Sequence, residues 1–248
     1  MTPPAVGSFD GLAEVYDRFR TGYAPELYDA ILRHGLRLPA HVIDLGCGTG
    51  LVSAELVARS CTVTGVDVSE PMLERARKRV PSGTFVSSRA EELPFGDAAF
   101  DAATSGQAFH WFDQARALAE VVRVVRPGGV VAVWWKTLMR GDGLRLLREE
   151  VARELDLSPP RDLLVAGFDD FDRSGLVDRR LRVIPWRVRM TAGGFLGIER
   201  SRARSRDAYG DKLEAYLGLL AERLGPPDEE LSVSYLHLLY LGRVAAKR

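Results

Sequence analysis

Two carboxylates and a glycine turn in the first third of the chain could do chemistry together. Asp44 stands two residues before the first glycine of Gly46-Cys47-Gly48-Thr49-Gly50, and Asp67 follows Gly46 by 21 positions. Glycines here permit a sharp turn and leave no Cβ between the backbone and a ligand lying across a helix N-terminus. A carboxylate at Asp44 would repel a pyrophosphate on this turn but suits a ligand with an ammonium group and no phosphate. An acidic residue about 20 positions beyond the turn, at the end of the second strand, can accept from both vicinal hydroxyls of a ribose. The chemistry indicated is recognition of a nucleoside that carries an ammonium group.

Such a site needs a strand-turn-helix unit and more strands beside it. Val42, Ile43 and Leu45 form the apolar run of a buried parallel strand, and Leu51, Val52, Leu56 and Val57 continue at helical spacing. Ahead of them, residues 9–36 read as two helical pieces broken at Gly22 and Pro25, with Leu12 on the apolar face of the first. Tyr16, Arg20 and Tyr23 on these pieces are expected to face the ligand, with simple packing of the helix on the sheet as the alternative. Residues 61–67 read as a β-branched strand, Ser69 as the cap of the next helix with Pro71 in its first turn, and Met72 as an apolar contact for a base, with a core position as the alternative. Residues 83–88 and 99–104 are expected strands, Asp113 a cap, and Arg126-Pro127-Gly128-Gly129 a tight turn into a fifth strand over 130–135. Five strands alternating with helices describe an α/β, doubly wound sheet. Beyond it we expect a helix over 144–157 stopped by Ser158-Pro159-Pro160, a strand over 177–188, a helix over 209–224 and a last strand over 231–244. Residues 199–206, rich in arginine, read as a solvated segment, with an anion site as the alternative. Trp134, Trp135, Phe168, Phe171 and Trp186 read as core, with a pocket wall as the alternative.

Composition excludes several classes. With 34 basic and 34 acidic residues, the chain has no net field to draw in a nucleic-acid backbone. Cys47 and Cys61 lack metal-ligand spacing, and no metal is expected. Residues 1–8 do not have the pattern of a secretory leader, and no run of apolar residues is long enough to span a bilayer. A soluble, cytoplasmic monomer or homodimer is expected, with no nucleic-acid or membrane partner.

The motifs Val42 to Gly50, Gly65-Val-Asp-Val-Ser-Glu-Pro-Met-Leu73, Ala90-Glu-Glu-Leu-Pro-Phe95, Gln107-Ala-Phe-His-Trp-Phe-Asp113 and Arg126-Pro-Gly-Gly129 occur in this order. Together they resemble the class I S-adenosylmethionine-dependent methyltransferases, and among them small-molecule enzymes of the ubiquinone-biosynthesis and trans-aconitate type. The likeness is good over residues 9–135 and loose beyond. It implies a Rossmann-like seven-stranded sheet of order 3-2-1-4-5-7-6 with strand 7 antiparallel. It also implies one domain over 1–248: lid helices at 9–36, a cofactor core at 41–135, a substrate-side insertion with strand 6 at 136–230, and a final strand at 231–246. The resemblance implies that Asp44, Gly46, Cys47 and Gly48 line the methionine end of S-adenosylmethionine, and that Asp67 holds the ribose. It further implies that Val68 and Met72 flank the adenine, that Ala90 and Glu91 meet its edge, and that Ser105 or Gln107 contacts the methionine portion. Relatives often place Asp immediately before the Ala-Glu pair; this chain has Arg89, so Glu91 or the backbone must meet the adenine edge.

The resemblance implies methyl transfer to a small molecule at a hydroxyl or carboxylate oxygen, with S-adenosylhomocysteine as product. A fold relative with a non-methylating role, such as a cyclase or an activating subunit, is the alternative. Displacement at a sulfonium depends mainly on in-line positioning in a site closed to water. A hydroxyl acceptor would gain from a base, usually histidine. Of His34, His41, His110 and His237, only His110 follows strand 4 at the carboxyl edge. It is the candidate base, with a pocket-wall role as the alternative. A carboxylate acceptor needs no base, and Arg20 or the arginines at 200–206 would then orient it.

Overall fold

Residues 13–158, 171 and 175–246, apart from the Arg204 side chain, are described from a computed structural model of the protein. Seven strands are present: β1 (Ala40–Leu45), β2 (Cys61–Asp67), β3 (Thr84–Ser87), β4 (Phe100–Gly106), β5 (Val125–Leu138), β6 (Leu176–Thr191) and β7 (Glu230–Val244). They form one sheet in the order β3-β2-β1-β4-β5-β7-β6. β1 to β5 pair in parallel, and β7 runs antiparallel between β5 and β6. The sheet is the one the resemblance implies. Its chain starts in the middle at β1, moves out to β3 and returns to the other flank of β1 at β4. That reversal opens a crevice outside the carboxyl ends of β1 and β4.

Nine α-helices surround the sheet: α1 (Ala13–Phe19), α2 (Pro25–Arg33), α3 (Leu51–Val57), α4 (Glu70–Arg79), α5 (Gln114–Val124), α6 (Gly143–Glu154), α7 (Ala192–Arg200), α8 (Ala203–Tyr209) and α9 (Leu213–Leu224), counted among the described residues. The central strands read as unbroken apolar runs because both faces are covered. Ile43, Leu45, Ala103, Val131, Val133 and Trp135 pack on one face. Val42, Ala102, Val130, Ala132 and Trp134 pack on the other, under Leu27, Tyr28 and Ile31 of α2. A third core joins Leu138 at the carboxyl end of β5 and Val233 and Tyr235 of β7 to Val151, Phe195, Tyr216 and Leu220 of the later helices. This last core sets α6, α7 and α9 at the same edge of the sheet as the crevice.

The structure departs from expectation in five places. The Arg126–Gly129 turn lies inside β5: pairing jumps from Phe100↔Val125 to Ala102↔Val130, and the residues between bulge out with Gly128 at φ +78°. Ser69 stands at the N-cap of α4, but its hydroxyl does not cap the helix. The helix expected over 209–224 is broken after Tyr209, where Gly210 takes φ +50°. α7 was not foreseen, because Gly193, Gly194 and Gly197 lower its helix propensity; Thr191 caps it by accepting from the Gly194 amide. The arginine-rich segment does not form a solvated run: it spans the end of α7 and most of α8, with Glu199, Ser201 and Ser205 buried. Phe9, Leu12, Pro159, Pro160 and Phe168 lie outside the described residues. No described helix is long and apolar enough to cross a membrane.

Candidate active site

The turn after β1 is built as the glycine spacing requires. Gly46 and Gly48 adopt φ +63° and +53°, a left-handed conformation that costs other residues dearly. A Cβ on Gly48 would meet nothing within 4 Å, so space is open where a ligand would cross the turn. Asp67, at the end of β2, accepts through Oδ2 from the Gly48 amide at 2.9 Å and through Oδ1 from the Ser69 amide at 3.0 Å. Two backbone donors thus fix its carboxylate beside the open face of the turn. A carboxylate oxygen has capacity for more than one donor, so each can still accept from a hydroxyl. Val68, beside it, is 39% exposed and offers an apolar surface, whereas Met72 is buried.

Asp44 takes a different place from the direct partner that the sequence suggested. It is buried beneath the turn, accepting from Ser53 Oγ at 2.7 Å and Thr104 Oγ1 at 3.0 Å. Burial pushes its carboxyl up to about 7; the two hydroxyls pull it down, and Asp67 adds to the rise. Asp44 therefore has no exposed oxygen for a ligand above the turn.

Other expected contacts are placed differently. The Cys47 side chain packs with Leu73, Ala76, Val80 and Phe85, its amide donates to the Val66 carbonyl at 3.0 Å, and burial pushes its thiol well up. Cys47 is a packing residue of the turn. Glu91 is also turned inward: it accepts from the Asp113 amide at 2.7 Å and pairs with Arg89 at 3.5 Å. Its carboxylate holds the loop before α5. Ala90 is in the core, and buried Ser105 donates to the Leu45 carbonyl at 3.0 Å, tying β4 to the start of the turn. Arg20 is committed to Ser201, by Nε to Oγ at 2.8 Å and by a terminal nitrogen to the carbonyl at 3.2 Å, with its guanidinium 4.7 Å from the Tyr16 ring centre. Tyr16 and Arg20 thus join the end of α1 to the segment after α7. Tyr23 packs edge-on against Trp134 at 5.4 Å and His237 at 5.8 Å.

At the carboxyl edge, β4 passes into Gln107 at φ +59°, a strained conformation for a residue with a side chain. Two bonds to β5 hold it: its amide donates to the Trp134 carbonyl at 2.9 Å and Nε2 to the Lys136 carbonyl at 2.9 Å. His110 follows in a short 3₁₀ turn (Phe109–Trp111), its ring tilted at 42° to that of Trp111 with centres 4.6 Å apart. Its Nδ1 accepts from the Trp135 indole at 3.1 Å. His237 is buried against the Ile184 carbonyl, and burial with Lys136 nearby holds it down at about 4. His34 and His41 lie away from this edge, beside Asp178 and Thr64.

Sequence reasoning passed over Lys136. Its Nζ donates to the Thr21 carbonyl and hydroxyl and to the Gly22 carbonyl at 3.1, 2.9 and 2.9 Å. The Tyr23, Trp186 and Tyr235 rings surround it at 5.0 to 5.4 Å. Its position at the end of an apolar strand was the one available signal, since a lysine there must either turn outward or find acceptors. Among the described residues, no group of three or more His, Cys, Asp or Glu could hold a metal ion.

Residues 43–133, which hold the turn, Asp67 and His110, match the family model for a methyltransferase domain. An uncharacterised methyltransferase of Mycobacterium tuberculosis (strain ATCC 25618 / H37Rv) is 40% identical over 156 residues, covering 62% of this chain and 62% of that protein. The chain thus spans under two thirds of the length of this curated relative. A malonyl-[acyl-carrier protein] O-methyltransferase of Pseudescherichia vulneris is 43% identical over 99 residues, covering 40% of this chain and 39% of that one. A solved structure from Anaeromyxobacter dehalogenans, provisionally assigned as a type II methyltransferase, shares the fold with a TM-score of 0.70 at 24% identity, covering 92% of this chain and all of that one. Residues 43–133 match a methyltransferase domain, and the chain has the class I S-adenosylmethionine-dependent methyltransferase fold.

Proposed function

We propose that the protein transfers a methyl group from S-adenosylmethionine to a carboxylate oxygen of a small-molecule acceptor. The residues present fit the methyl donor. The open space over Gly48 would take its chain, Asp67 would accept from its ribose hydroxyls, Val68 would cover one face of its adenine, and Asp44 lies beneath its ammonium end. Bound there, S-adenosylmethionine supplies an electrophilic methyl group on a sulfonium.

The observation that carries the choice of acceptor is the hydrogen bond from Trp135 to His110. An indole nitrogen can only donate, so His110 Nδ1 must be the acceptor, and the neutral imidazole then carries its proton on Nε2. In this tautomer the ring presents a donor, not a base, on its other side. A hydroxyl acceptor would lack the base it needs, whereas a carboxylate is already ionised and could take a hydrogen bond from Nε2–H. The relative named as a malonyl-[acyl-carrier protein] O-methyltransferase is consistent with transfer to oxygen.

The test is transfer from methyl-labelled S-adenosylmethionine to pairs of carboxylic acids and alcohols of the same carbon skeleton. We expect label in the acids, released as methanol by mild base because the product is an ester. Base-stable label in the alcohols would overturn the carboxylate assignment. Binding of S-adenosylhomocysteine without transfer to any oxygen, nitrogen or carbon acceptor would favour a non-methylating role.

A further inference from the structure

Lys136 bonds to two parts of the chain that no motif connects. Its ammonium has three N–H donors, and all of them go to one short stretch between α1 and α2. The Thr21 carbonyl accepts at 3.1 Å, the Thr21 hydroxyl at 2.9 Å and the Gly22 carbonyl at 2.9 Å. The Tyr23, Trp186 and Tyr235 rings complete the cage, with centres 5.0 to 5.4 Å from Nζ. The Lys136 carbonyl accepts from Gln107 Nε2 at 2.9 Å, in the loop that leads to His110. Among the described residues, no carboxylate pairs with Lys136. The other cations at this edge are engaged elsewhere: Arg20 with Ser201, and Arg148 and Arg202 with Glu199 at 2.8 and 2.9 Å.

An ammonium away from water is tolerated only where its donors are met. Burial opposes the charge of Lys136, and Arg20 and Arg202 add to the opposition. What the lysine secures is a loop. Thr21 and Gly22 exchange no backbone–backbone hydrogen bond with another described residue, so Lys136 supplies the bonds that hold them. The path of this stretch shows what is being held. At one end, Asp17 of α1 pairs with Arg79, whose Nε donates to the Thr49 carbonyl of the glycine turn at 2.9 Å. At the other, Thr21 and Gly22 meet Lys136 near the carboxyl end of β5. β4 lies between β1 and β5 in the sheet. Residues 17–22 therefore cross the crevice outside the carboxyl ends of β1 and β4, as a strap anchored on both sides.

We propose that Lys136 is a positioning residue for methyl transfer: through Thr21 and Gly22 it keeps residues 17–22 across the crevice, so that bound S-adenosylmethionine is shut off from water. The proposal rests on the methyl-transfer reading above. The amino group acts through the strap, because its three donors leave none for a ligand. The carbonyl of the same residue acts through Gln107 on the loop that carries His110. One residue thus ties the cover of the donor to the loop of the acceptor side. Loss of the amino group should change how long the donor stays, not how fast it arrives.

Capture and release of S-adenosylhomocysteine are followed by tryptophan fluorescence after rapid mixing. Lys136→Met keeps the apolar stem and removes the donors; release should quicken about tenfold, as loss of charged hydrogen bonds requires, with little change in capture. Lys136→Arg, which keeps charge and donors, should restore part of the difference. Thr21→Val deletes one acceptor on the strap and should quicken release about threefold, yet add nothing in the Lys136→Met background. Amide exchange over residues 21–24, measured without ligand, should rise several-fold in Lys136→Met while β1 and β4 keep their rates. Unchanged release in Thr21→Val, or additive effects in the double variant, would overturn the proposal, and Thr21→Val decides alone if Lys136→Met does not fold. Failure of the unaltered protein to bind S-adenosylhomocysteine would count against methyl transfer instead, and exchange over 21–24 would still decide whether Lys136 holds the strap.

Discussion

Asp44 gives the site a pH signature. In the unfolded chain its carboxyl has the ordinary value of 3.8, and burial in the fold raises it to about 7. Between these values the folded state binds the extra proton, so this group's contribution to stability is present at low pH and is lost as pH rises toward 7. A ligand ammonium over the turn reverses the preference, because it favours the ionised form. Affinity for S-adenosylhomocysteine should therefore rise from pH 6 to 8 and level off above. Calorimetry on Asp44→Asn should give a weaker affinity with a flatter profile; a parallel rise in the variant would place the titration elsewhere. If Asp67 holds the ribose by contact, its Ala substitution should cost about 1–3 kcal/mol of cofactor affinity, or roughly 5- to 150-fold. Trp135→Phe tests the tautomer. Loss of the indole donor should lower kcat for acid acceptors about fivefold and leave the KM for S-adenosylmethionine in place. A kcat that rises for alcohol acceptors would show that freeing Nδ1 had created a base.

At the scale of the elements, α7 shows why a sequence is read unevenly. Its three glycines weaken the helical signal, yet Gly197 has a packing purpose: an added Cβ would lie 2.2 Å from the Phe19 ring of α1. Gly197→Ala should destabilise the protein by about 1–3 kcal/mol through overpacking. The double variant with Phe19→Leu should recover part of that loss, a non-additivity that urea unfolding can measure. Loss equal to the sum of the single variants would mean that the two helices do not meet as described. β1, β2 and the turn were legible because each of their requirements is local: apolar runs, glycine spacing and a carboxylate at a fixed distance. The inward turn of Glu91, the commitment of Arg20 to Ser201 and the buried pairing of Glu199 were not legible. Each depends on a partner 22, 181 or 51 positions away that no period or motif announces.

Across the whole molecule, α1 and the residues just after it join two halves of the fold. On one side, Asp17 pairs with Arg75 at 3.3 Å and with Arg79, both on α4. On the other, Arg20 holds Ser201, Phe19 meets Gly197, and Lys136 grips the chain at Thr21 and Gly22. Burial raises the Asp17 carboxyl while Arg79 and Arg75 lower it, for a net depression below its ordinary value. The tie is thus fully present above that ordinary value and is lost as pH falls through the depressed one. Because the pair is partly exposed, it contributes little to global stability, and its effect should instead be local. Asp17→Asn should raise amide hydrogen exchange in α1 several-fold and leave β1 and β4 at their original rates. Salt should raise α1 exchange in the unaltered protein toward the variant's level, since screening weakens the same pair. If α1 closes over bound S-adenosylhomocysteine, the variant should also release it faster, with little change in the rate of capture. An equal rise in exchange across the sheet would show that Asp17 supports the fold as a whole and not the join between its two halves.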